Sequence, residues 1–89
     1  MPPRRVLNER LEELRAQLAA STSMAPAERA RLEKLLADVR QHAEGEDARE
    51  EPHTLAERLH DVKAHFEESH PNLTLAIGAV ADALARIGV

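Results

Sequence analysis

Phe66-Glu67-Glu68-Ser69-His70-Pro71 closes one leucine-striped segment, and Asn72-Leu73-Thr74-Leu75-Ala76-Ile77-Gly78-Ala79-Val80 opens another that is apolar almost all round. Upstream of this junction Leu55, Leu59, Val62 and Phe66 recur at steps of four, three and four, the spacing that lines side chains along one stripe of an α-helix. Continuing that heptad would call for apolar residues at Ser69 and at Asn72 or Leu73. The next stripe is instead Leu73, Ile77, Val80, Leu84 and Ile87, in a shifted phase. Ser69 as a cap and Pro71 in a first turn give a local reason for a break. The pattern predicts two helices, about 54–69 and 71–87, with a single helix kinked at Pro71 as the alternative.

Working outward, Thr54 and Glu57 fit a reciprocal capping box, which places the start of the third helix at Thr54. Before it, Glu44-Gly45-Glu46-Asp47-Ala48-Arg49-Glu50-Glu51-Pro52 crowds like charges around a glycine and reads as an acidic linker at about 44–53. Leu32, Leu35, Leu36 and Val39, extended by Ala43, form the stripe of a helix from about Pro26 to Ala43. Leu7, Leu11, Leu14 and Leu18 do the same for a first helix at about 3–20, and Pro2, Pro3 and Pro26 suit first turns. The short polar link Ser21-Thr22-Ser23 favours an antiparallel pair.

The expected fold is therefore all-α. Antiparallel helical hairpins, or a small four-helix bundle, form one domain over residues 1–89. Large apolar residues are nearly all leucine, Phe66 is the sole aromatic, and 31% of residues are charged, a composition typical of bundles and coiled coils. With no cysteine there is neither a disulfide nor a thiolate site. A net charge of -4 speaks against general nucleic-acid binding, and the arginines near the start are interleaved with Glu9, Glu12 and Glu13. No signal-peptide pattern is visible, so the expected location is cytoplasmic, and the apolar segment after Leu73 is short of a span and interrupted by Asp82 and Arg86.

The final helix has little polar surface: Ala76, Ala81 and Ala83 widen its stripe, while Leu75 and Ala79 carry apolar character to the far side. In so short a chain a lone core is marginal, which leads to the expectation of a homodimer whose shared core is built from Leu73, Ile77, Val80, Leu84 and Ile87.

At Phe66-Glu67-Glu68-Ser69-His70-Pro71, followed by Leu73-Thr74 and Val80-Ala81-Asp82-Ala83-Leu84-Ala85, the chain resembles a family of short bacterial helical proteins classed as a domain of unknown function. The likeness extends more weakly through Arg29-Ala30-Arg31-Leu32-Glu33-Lys34-Leu35-Leu36. It implies a small all-helical protein with no activity or catalytic residues to carry over.

Candidate chemistry is sparse. Glu57 with His60, and Glu67 with His70, have the i, i+3 spacing by which bundles share a metal, so a metal- or ligand-binding bundle using Glu57 and His60 is the alternative function. Glu57 and His60 fall away from the third helix's apolar stripe, which favours an ordinary solvated pair. Ser21, Ser23 and Ser69 read as turn or cap residues, and three glycines write no phosphate-cradling loop. His70, beside the helix break, is a candidate pH-sensitive hinge. The expected function is non-enzymatic and cofactor-free, acting by self-association or protein–protein interaction without nucleic acid or membrane.

Overall fold

A computed structural model of the chain describes residues 3–43 and 52–88, with side chains described over 5–42 and 54–86. Four helices make it up: α1 (Pro3–Ala20), α2 (Pro26–Ala43), α3 (Pro52–Phe66) and α4 (Pro71–Gly88). Each begins on a proline. A fixed φ near the helical value and a missing N–H cost nothing where the first-turn amide has no intrahelical acceptor.

Two boundaries differ from the sequence reading. α3 starts at Pro52, two residues before the capping box would begin it, so Thr54 lies inside the first turn. At the α3–α4 junction there are two helices and not one kinked helix, separated by a turn over 67–70. The residue before Pro71 is His70, and it holds the cap position assigned to Ser69: its N–H donates to the Phe66 carbonyl at 2.9 Å, ending α3. Its own carbonyl accepts the Thr74 N–H and the Thr74 hydroxyl, each at 2.9 Å, starting α4. Most of the acidic stretch expected as a linker, 44–51, lies outside the described residues.

α1 ends through a device supplied by α2. Ser21 N–H and Oγ both donate to the Gln17 carbonyl at 3.1 Å, and the Arg29 guanidinium donates to the carbonyls of Leu18 (3.0 Å) and Ser21. A cation at a helix C-terminus satisfies orphan carbonyls and complements the dipole. Met24 tucks under the link and is buried.

The helices run alternately up and down around a ring in the order α1, α2, α3, α4. α4 packs closely against both α1 and α3, and α2, diagonally opposite, meets the same two neighbours at wider spacing. All the predicted stripes point inward: Leu7, Leu11, Leu14 and Leu18 from α1, Leu32, Leu35, Leu36 and Val39 from α2, and Leu55, Leu59 and Phe66 from α3 are buried, with Val62 half-buried against them.

Candidate interaction surface

Leu73, Ile77, Val80 and Leu84, expected to be shared between two copies, are fully or almost fully buried within the single chain; the Ile87 side chain lies outside the described residues. Ala81 and Ala83, on either side of that stripe, are buried too, because α1 covers one flank of α4 and α3 the other. The surplus of apolar surface inferred from the sequence is thus absorbed by the chain's own helices. Burying this stripe requires no second copy.

The outer face of α4 is what remains. Leu75 is 73% exposed and is the only large hydrophobic residue so exposed among those described. Ala79, Asp82 and Arg86 follow it at i+4, i+7 and i+11, and Pro71 and Gly78 flank the same face. The Lys63 side chain, from α3, lies across Gly78: a Cβ there would meet its Nζ at 3.6 Å and its Cε at 3.7 Å. Lys63, Asp82 and Arg86 make no ion pair among the described residues. The outer face of α1 is the opposite in kind, carrying ion pairs Arg5–Glu9, Arg10–Glu13 and Arg15–Glu12.

A second feature lies along α2. Between α2 and α3 runs a groove of about 500 Å³, floored by Leu32, Leu35, Val62 and Phe66 and closed at each end by a pair of unlike residues. At one end Glu28 Oε2 meets His65 Nε2 at 2.5 Å; at the other the Arg58 guanidinium donates to Asp38 at 3.1 Å, and Lys34 adds a contact to the same carboxylate at 3.6 Å. The His65 hydrogen bond holds the Glu28 carboxyl below its usual value, with smaller charge contributions from His65 and His70 and an opposing one from desolvation. These pairs join residues 37 and 20 positions apart, so no reading of a single helix face exposes them.

The remaining candidates fall apart in space. Glu57 and His60 are exposed, and no group of three metal-capable side chains comes together among the described residues. His70 is half-buried, edge-on to Phe66 at a centroid distance of 5.6 Å, and serves as the α4 cap. Among the described residues no helix is long and apolar enough to cross a membrane.

Over residues 7–89 the chain belongs to a family described as a domain of unknown function, DUF4404. No curated protein and no solved structure matches it.

Proposed function

We propose that this member of the family is a non-enzymatic helical module that acts through protein–protein contact at the outer face of α4. The observation that carries the reading is Leu75, 73% exposed on the most apolar helix of the bundle, where the small side chains around it let another helix approach closely. The other described large apolar residues lie in the core or pack against it, and the other described polar contacts are explained by caps, by pairs within a helix or by ties between neighbouring helices. An exposed leucine between Gly78, Ala79 and Pro71 has no such role in folding.

The test places a photo-crosslinking amino acid at Leu75, with a control at Ala16 on the exposed side of α1, in cells that make the protein. The reading expects a defined protein adduct at position 75 and none at 16. The identified protein is then purified and its affinity measured against the wild type and Leu75→Glu, which is expected to bind about tenfold or more weakly. Equal labelling at both positions, or an affinity that ignores Leu75→Glu, would sink it.

A further inference from the structure

We infer that α2 is an opening segment, which leaves the bundle as one unit while α1, α3 and α4 stay assembled. This holds whatever the outer face of α4 contacts. Packing, polar ties and chain length all single α2 out.

Grooves flank α2 on both sides. The one toward α3 has a volume of about 500 Å³, and a second, of about 390 Å³, lies toward α1 between Leu18 and Ala19 on one wall and Leu36 and Ala37 on the other. The spacing of packed helices follows the size of the side chains at the contact. α4 carries Ala76, Ala81 and Ala83 beside its stripe and comes close to its neighbours, whereas α2 reaches the core with Leu32, Leu35, Leu36 and Val39 and stands off.

Polar side chains bridge the gaps that packing leaves. Among the described residues, every hydrogen bond from a side chain of one helix to a different helix has α2 at one end: Arg29 to the Leu18 carbonyl of α1, Arg58 of α3 to Asp38, and His65 of α3 with Glu28. The two ion pairs are partly exposed, and such pairs are individually weak.

The chain is long enough for α2 to leave without disturbing the rest. In an up-and-down ring the end of α1 and the start of α3 lie at opposite ends of the bundle. Their separation is close to the length of α2, whose 18 residues at ~1.5 Å each make about 27 Å. Residues 21–51 join them, 31 in all, and an uncoiled chain of that length spans on the order of 30 Å, so no stretching is needed. Opening exposes the four stripe residues of α2, which makes it rare, but it spares the contacts of α4 with α1 and α3 that global unfolding also breaks. The open form uncovers Leu18 on α1 and Val62 and Phe66 on α3, which face α2 across the two grooves.

Hydrogen exchange of the intact chain, followed by NMR at denaturant concentrations below the unfolding transition, tests this. The slowest amides of α2, between Leu32 and Val39, are expected to exchange about tenfold or more faster than the slowest of α4, through an opening whose denaturant dependence is shallower because it exposes less surface. Arg58→Ala removes a tie that is lost in the open and the unfolded form alike, so it should speed both sets of amides by the same factor. Ala83→Gly weakens α4, which the open form keeps, so it should speed the α4 amides about fivefold and leave those of α2 unchanged. If the amides of α2 and α4 share one denaturant dependence and both respond to Ala83→Gly, the inference is overturned. Exchange of the α2 amides without any denaturant dependence overturns it too, since that is fraying residue by residue and not the release of a helix.

Discussion

α4 and α2 sit at opposite corners of one bundle and contact the same two neighbours, yet they are held in different ways. α4 is seated by apolar side chains over about half its circumference, with Ile77, Val80, Ala81 and Leu84 all at 0% exposure. α2 buries a narrower stripe, and its edge toward α3 is closed by Glu28–His65 and Asp38–Arg58 with a groove between them. The contrast teaches that the bundle has a close-packed half, α1–α4–α3, and a more polar seam through which α2 completes it. Dispersion and burial hold the first and change little with modest shifts of salt or pH, whereas ion pairs at the second answer to both.

The largest effect that sharpens this contrast is a cavity on the α4 side. Ile77→Ala should cost about 2–5 kcal/mol, read from urea unfolding. Leu35→Ala, beside the α2–α3 groove, should fall toward the lower end of the same range, since that site has room to relax and to admit water. If the two cost the same, the division into a close-packed half and a looser seam is wrong.

A smaller effect is expected at the seam's ion pairs. Arg58→Ala should cost about 0.2–1 kcal/mol at low salt, because Asp38 and Arg58 are partly exposed, and the difference from wild type should shrink as salt is raised. Its check is the same unfolding experiment at two ionic strengths.

The smallest effect is a matter of pH. Glu28 has its folded-state pKa lowered by His65, so its stabilising contribution is present above the ordinary carboxylate value and is lost as pH falls through the lowered folded value. Glu28→Gln should therefore flatten part of the acid side of the stability profile. Amide exchange in the first turns of α2, followed by NMR against pH, would report it locally; an unchanged profile would remove the Glu28–His65 contact as a contributor.

Much of this architecture can be read in the sequence because it is local. Leucines at steps of three and four announce each helix, and Pro3, Pro26 and Pro71 stand where helices begin. Pro52 was legible by the same rule, but Thr54 and Glu57 offered a competing start, and in the folded chain the proline's preference for a first turn prevails. Ser69 gave way to His70 for a related reason: with Pro71 as the first helical residue, the cap must be the residue immediately before it. Leu75 and Ala79 were also visible as apolar residues on the far side of the last helix. What the stripe could not disclose is how much of α4 its two neighbouring helices would cover. That depends on the arrangement of the whole ring, as do contacts such as Glu28 with His65 and Arg29 with the end of α1.

Alternating helix direction around a closed ring has a topological consequence. With α1 and α4 packed side by side and antiparallel, Pro3 and Gly88 emerge from the same end of the molecule. A brief glycine-serine bridge between those ends, with the backbone reopened between α2 and α3, gives a permuted chain in which the helix order is α3, α4, α1, α2 and every inter-helix contact is retained. The close-packed trio would then be contiguous in sequence, and the helix at the polar seam would become a terminal segment free to be shortened residue by residue.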